Sequence, residues 1–248
     1  MDGMTFWILG SVAAFCTGLS KGGLPAFSML AVPVLALVIS PVTAAGLLLP
    51  VFLFSDIFGV WAYRHEFRRD ILKIATVGSL IGAGIGWLTA EVVSENFVRV
   101  LIGLLGLAFA TSYLLRRPPE GAPRKPSWGL GVFWTTVAGF TSFVSHAGAP
   151  PWQVWVMPLR LNKLAFAGTT TMAFAIMNVS KILPYYLLGQ LDVQNLKVAV
   201  MLLVPAVFGV FVGYRLTRML PEKVFFGIVT WALLAISIKL IWDGMAGA

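Results

Sequence analysis

Apolar residues run through this chain in long blocks broken by short polar stretches. Ten apolar segments are legible, at 4–19, 24–39, 42–63, 71–90, 97–115, 128–144, 151–159, 164–188, 195–214 and 224–242. Val42–Tyr63, Phe97–Leu115 (with Arg99 near its start) and Phe225–Trp242 approach or pass the roughly 18 residues that a spanning helix needs. Segment 151–159 does not: it rises about 14 Å as a helix against a hydrocarbon core of about 30 Å. Segments 4–19 and 24–39 reach roughly 24 Å each. The pattern predicts an all-α polytopic membrane protein. Segments one and two, and six and seven, are expected to be re-entrant helical hairpins, or else strongly tilted spans. Their tips fall at Ser20–Pro25 and Ser145–Pro150.

The two tips share a pattern. Ser20-Lys21-Gly22-Gly23-Leu24-Pro25 is echoed by Ser145-His146-Ala147-Gly148-Ala149-Pro150. Pro33 and Pro158 each follow eight residues after the tip proline. Ala45-Gly46 matches Ala167-Gly168, and at the same offset Asp56 matches Asn178, Tyr63 matches Tyr185 and Asp70 matches Asp192. Segments four and nine carry glycines at four-residue spacing: Gly78, Gly82 and Gly86 in one, Gly209 and Gly213 in the other. Such spacing lets helices approach closely. The ordered set points to an internal duplication of two five-segment halves, 1–117 and 128–248, joined by a cytoplasmic linker at 118–127.

Composition and charge sharpen this. The chain is 58% apolar and 11% charged, where a soluble domain carries about 25% charged residues. Its net charge of +8 does not point to nucleic acid. Most basic residues fall in four short regions, among them Arg64, Arg68, Arg69 and Lys73, then Arg116, Arg117, Arg124 and Lys125. The intervening loops hold Glu91, Glu95 and Asp192. The positive-inside rule puts the basic regions in the cytoplasm. Equivalent loops then lie on opposite faces, which makes the duplication an inverted-topology repeat, the architecture of secondary transporters. Both termini are expected outside the cytoplasm, in a bacterial inner membrane. Asp2 and the lack of a basic leader argue against a cleaved signal peptide. Cys16 has no partner for an internal disulfide, and bulky Phe15 before it argues against lipidation.

The tips carry the candidate chemistry. Gly22, Gly23 and Gly148 permit close backbone approach. Pro25 and Pro150 suit the first turn of a helix, whose N-terminus attracts anions. Ser20 and Ser145 add hydroxyls, Lys21 adds a charge, and His146 adds one when protonated. Lys21 uncompensated at the bilayer centre costs about 2.5–3.5 kcal/mol, which a bound anion or a wet cavity offsets. The alternatives are a snorkelling Lys21 and a structural His146. Asp56 is the acidic residue well inside an apolar segment. It is either a proton-coupling group, with Asn178 as its non-titrating mate, or a partner for Lys21, Lys181 or the opposite half. Lys181 either lines the same cavity or sits near the outer interface. Thr169, Thr170 and Thr171 either line a polar path or bond their own backbone. Trp152 either walls the site or packs, while Trp61, Trp128 and Trp242 read as interface anchors. No nucleophile elbow, phosphate loop or His/Cys ligand cluster is present, so neither an enzyme nor a metal or cofactor site is expected.

These residues resemble the TauE/SafE sulfite exporter family. The resemblance rests on Gly18–Gly23 leading to Pro33, Pro41 and Ala45-Gly46, on Ala62-Tyr63-Arg64, on Gly139–Pro151 and on Gly168-Thr169. It covers nearly the whole chain. It implies export, or sometimes uptake, of small sulfur-containing anions such as sulfite, thiosulfate or a sulfonate like sulfoacetate. Bottom-up reading reaches an anion transporter in the lipid bilayer, coupled to protons through Asp56. Ser20, Lys21, Gly22, Gly23, Ser145, His146 and Gly148 form its cradle. A passive anion channel and a membrane scaffold without transport are the competing classes.

Overall fold

Proline and glycine placement decides where each apolar block starts and stops. A computed structural model describes residues 3–90, 92, 94–115, 124–191 and 193–246. Arg116, Arg117, most of the linker 118–127, Glu91, Asp192 and the outermost residues of both termini lie outside the described residues. Among the described residues every regular element is helical.

Each predicted apolar segment is matched by helix. α1 (Met4–Lys21) leads through a 3-10 turn (Pro25–Phe27) into α2 (Ser28–Ala36), and α3 (Pro41–Tyr63), α4 (Arg69–Leu88) and α5 (Glu95–Leu115) follow. α6 (Trp128–Ser145) and α7 (Ala149–Val156) come next, then a 3-10 turn (Met157–Leu159). The chain ends with α8 (Lys163–Ser180), α9 (Ile182–Leu187), α10 (Val193–Met219) and α11 (Glu222–Ala246). α3 opens with Pro41 at its first position, and the Ser40 hydroxyl accepts the Thr43 N–H at 3.2 Å, an N-cap with proline where no N–H is needed.

One segment differs from the sequence reading. The block at 164–188 is two helices, α8 and α9, broken at Lys181. Pro184 is the cause. It has no N–H for the Ser180 carbonyl and its ring crowds that carbonyl. Lys181 instead turns its N–H to Asn178 O at 3.2 Å.

Among the described residues, four helical stretches are long and apolar enough to cross a membrane: Val42–Tyr63, Arg69–Leu88, Asn195–Met219 and Glu222–Ala246. Their outer faces are apolar. On α10, Val200, Val204, Phe208 and Phe211 are exposed while Leu202, Ala206 and Val210 are buried. A continuous exposed stripe of this kind suits lipid, not water. Trp61, Trp128 and Trp242 are exposed near helix ends, where interface anchors belong.

The helices form two compact units. Unit 1 holds the chain up to Arg68 together with Leu164–Leu220. Within it α1 packs against α10, α2 and α3. Its apolar core includes Phe6, Ala13, Leu35, Leu47, Leu48, Phe52 and Leu202. Unit 2 holds Arg69–Lys163 and the chain from Pro221 onward. Within it α4 packs against α6, and α5 packs against α11 and α7.

Glycine sets how near these helices come. A Cβ on Gly18 or Gly22 would run into the α10 backbone at Ala206 or Val210. Gly209 and Gly213 meet the α1 backbone in return. In unit 2, Cβ atoms on Gly78, Gly82 and Gly86 would strike Thr135, Thr136 and Phe143 of α6. The glycine rows of segments four and nine are therefore packing seams, as their spacing predicts.

Gly82 and Gly84 offer a paired test on one helix. Gly82→Ala should lower stability by about 1–3 kcal/mol through overpacking. Gly84 has open space around it, so Gly84→Ala should raise stability by up to about 1 kcal/mol through helix propensity. Melting of both purified variants in detergent checks the opposite signs.

Candidate functional site

The first tip lies in unit 1, where α1 ends at Lys21. Gly23 takes φ +112°, which an L side chain rarely adopts. The turn folds on itself: the N–H groups of Gly22, Gly23 and Leu24 donate to the carbonyls of Gly18, Ser20 and Leu19 at 2.9, 3.3 and 3.2 Å. Two outside hydroxyls clamp it. Tyr63 Oη and Thr217 Oγ1 donate to Gly22 O at 2.6 and 3.1 Å. Its backbone donors are thus committed, and any anion here must be met by side chains.

Lys21 is 2% exposed. Its Nζ lies 2.8 Å from Asp56 Oδ1. The same amine faces the rings of Phe52 and Phe174, 5.2 and 5.7 Å from their centroids, a cation–π setting. Asp56 Oδ2 accepts from Asn178 Nδ2 at 2.8 Å. Asn178 Oδ1 in turn accepts from Lys181 Nζ at 3.4 Å. All four side chains are buried. Lys21, Asp56, Asn178 and Lys181 therefore form one chain of polar contacts linking α1, α3 and the break after α8. Lys21 meets the carboxylate directly, and Lys181 reaches it through Asn178.

A cavity of about 10 Å³ adjoins this cluster, lined by Ser20, Lys21, Pro25, Ser28, Thr170, Thr171 and Phe174. That is room for about one water. Thr171 Oγ1 donates to Lys21 O at 3.3 Å. Ser20 Oγ donates to Thr17 O at 2.7 Å and Ser28 Oγ to Pro25 O at 2.8 Å. Their oxygen lone pairs stay available.

The second tip lies in unit 2. α6 ends with His146 in the left-handed region, φ 53°, a conformation that costs a non-glycine residue about 1–2 kcal/mol. The His146 N–H bonds Ser142 O at 3.1 Å and the Ala147 N–H bonds Thr141 O at 3.2 Å. Thr141 Oγ1 closes the loop by donating to Ala147 O at 3.1 Å. Ser145 is half-buried, with Oγ 3.4 Å from Thr141 O, and Gly148 caps α7. In the first turn of α7, Pro150 and Pro151 carry no N–H, and the Trp152 N–H goes to Gly148 O at 3.2 Å. The Ala149 N–H is the donor that remains. Trp152 is buried edge-on to Trp155, centroids 5.8 Å apart.

The structure thus brings Ser20, Lys21, Gly22, Gly23, Asp56 and Asn178 together in unit 1, and carries Ser145, His146 and Gly148 in unit 2. Lys181, read from the sequence in two ways, is fully buried at the cluster. The Tyr63 and Thr217 clamp was not anticipated, because neither residue is near the tip in sequence. Gln153 was also missed. It is the single polar residue in the block at 151–159, which is the signal that could have flagged it.

A family model described as sulfite exporter TauE/SafE matches residues 10–240. Comparisons with curated proteins and with solved structures give no match.

Removing one member of the buried pair should be costly. Asp56→Ala strands the Lys21 charge, and loss of one partner of a buried pair costs about 3–5 kcal/mol. Lys21→Met combined with Asp56→Leu strands neither member of the pair and should recover most of that loss. Denaturation of the two single variants and the double variant measures the coupling.

Proposed function

The chain belongs to the TauE/SafE sulfite exporter family, and from this premise we propose that it is a secondary transporter exporting small sulfur-containing anions, sulfite or an organosulfonate such as sulfoacetate, with protons as the coupling ion. The family is one of membrane transporters. The observation that carries the finer reading is the buried cluster of Lys21, Asp56, Asn178 and Lys181 beside a hydroxyl-lined cavity.

Lys21 is the principal anion contact. At rest Asp56 occupies it. An arriving anion competes with the carboxylate for the same amine, and protonation of Asp56 releases Lys21 to the anion. Proton and substrate are linked in this way through one nitrogen. Asn178 holds Asp56 in place without titrating, and Lys181 supplies a second basic group, bonded to Asn178. The Ser20 and Thr171 hydroxyls donate to carbonyls of α1 at rest, and turning those hydrogens to the anion is part of loading. Gly22 and Gly23 allow the turn that presents Lys21. A cavity of about 10 Å³ holds no sulfonate, so loading requires the cluster to open. Ser145, His146 and Gly148 take the corresponding role in unit 2.

The inverted repeat is part of this proposal. Two observations support it: α1 packs on α10 in unit 1 as α6 packs on α4 in unit 2, and glycine rows form both seams. The hairpin reading draws support from length, since α2 has 9 residues and α7 has 8, each far short of a bilayer core. An inner-membrane location with both termini outside the cytoplasm rests on the distribution of Lys and Arg.

A thermal-shift panel of sulfite, sulfate, thiosulfate, sulfoacetate, acetate and phosphate tests the substrate class. Lys21→Ala in an Asp56→Asn background leaves no unpaired carboxylate, so it should fold and give no shift. Wild-type affinity in that variant would remove Lys21 from the site. In proteoliposomes Asp56→Asn should flatten the pH dependence of anion flux, and an unchanged pH response would exclude Asp56 as the coupling group.

A further inference from the structure

Gln153 lies on α7, in the turn that follows Pro150 and Pro151. It is fully buried, and neither Nε2 nor Oε1 has a hydrogen-bond partner among the described residues. A carboxamide at such a place loses its hydration and gains nothing in exchange. Buried polar groups without a partner are rare in native proteins, and such a group calls for a partner from outside the chain. A role in packing alone would be met better by leucine, which has similar length and no polar atoms.

Its position is informative. Residues three apart share a helix face, so Gln153 lies on the face of Pro150. A Cβ built on Gly106 of α5 would touch Pro150 at 3.4 Å and would collide with Ser237 Oγ of α11. Ser237 is also fully buried with its hydroxyl unpaired among the described residues. Two uncommitted polar side chains therefore flank the start of α7. That start follows the strained His146 turn and retains the Ala149 N–H as a donor, while Pro150 and Pro151 offer none.

We propose that Gln153 is a substrate-contacting residue of unit 2, donating its Nε2 hydrogens to oxygens of a small sulfur oxyanion; this rests on the transporter reading above. The prolines remove the backbone donors that an anion would otherwise find at a helix start. The carboxamide replaces them with two N–H bonds on one rigid group. Because it is neutral, it binds the anion without adding a charge that would hold it too tightly to leave. Sulfite and a sulfonate each present three oxygens on one sulfur, enough to take both hydrogens at once.

The test uses the purified full-length chain in detergent, titrated with sodium sulfite and with sulfoacetate by calorimetry, alongside melting temperatures. Gln153→Leu should weaken binding at least tenfold while its melting temperature stays level or rises, because an unpaired polar group has been removed. Gln153→Glu, isosteric but acidic, should abolish binding. Gln153→Asn, which keeps the carboxamide one methylene back, should fall between wild type and Leu. Wild-type affinity in Gln153→Leu overturns the inference while leaving the transporter reading intact. Failure of Gln153→Leu to fold overturns it too, since that outcome makes Gln153 a support of the fold. Absence of binding by the wild-type chain refutes the transporter reading itself.

Discussion

A lysine amine inside an apolar helical bundle is tenable only if something nearby answers its charge. In unit 1 that answer is Asp56, 2.8 Å from Lys21 Nζ. Much of the unit's local structure follows from this contact. α1 stops at Lys21, the turn beyond it spends its own N–H groups internally, and Tyr63 and Thr217 fix its carbonyl. The break between α8 and α9 brings in Lys181, and Asn178 joins it to Asp56. A discontinuous helix beside buried charge is the means by which transporters place polar groups at bilayer depth without exposing backbone to lipid.

Close helix contact makes the arrangement rigid. Gly18 on α1, Gly22 just past its end, and Gly209 and Gly213 on α10 let the two backbones meet along the seam that leads up to Lys21. Lipid offers no hydrophobic drive for helices to associate, so contact area between backbones must supply it. The packing seam and the charged turn are consecutive stretches of one helix. A shift of α1 along α10 therefore moves Lys21 relative to Asp56, and packing is mechanically tied to the ion pair.

The fold was largely legible in the sequence because membrane helices are written in unbroken apolar length. Each predicted segment is helical, and the glycine rows are seams. The split of the block at 164–188 was not read. Pro184 marks it, but proline is common within membrane helices, and its effect depends on whether neighbours satisfy the freed carbonyl. The site was half legible. Asp56, Asn178 and Lys21 stand out as polar residues in apolar surroundings. Their joining into one cluster needed coordinates, since a sequence offset does not say which helices touch. Tyr63 illustrates the difficulty: its value lies in a bond to Gly22 O, 41 residues away. Gln153 carries neither charge nor a place in the repeated motif, so a lone amide in an apolar block is its one mark in the sequence.

The two tips share one sequence pattern but carry different chemistry. The first places a full charge at Lys21 and must bury a carboxylate to hold it. The second places His146 at the matching position, in a left-handed conformation, and follows it with two prolines that remove backbone donors. Charge at one tip and neutral donors at the other suit a carrier that must release what it binds. On the transporter reading proposed above, the differences between Lys21 and His146, and between Asp56 and Asn178, are the asymmetry that binding and release require.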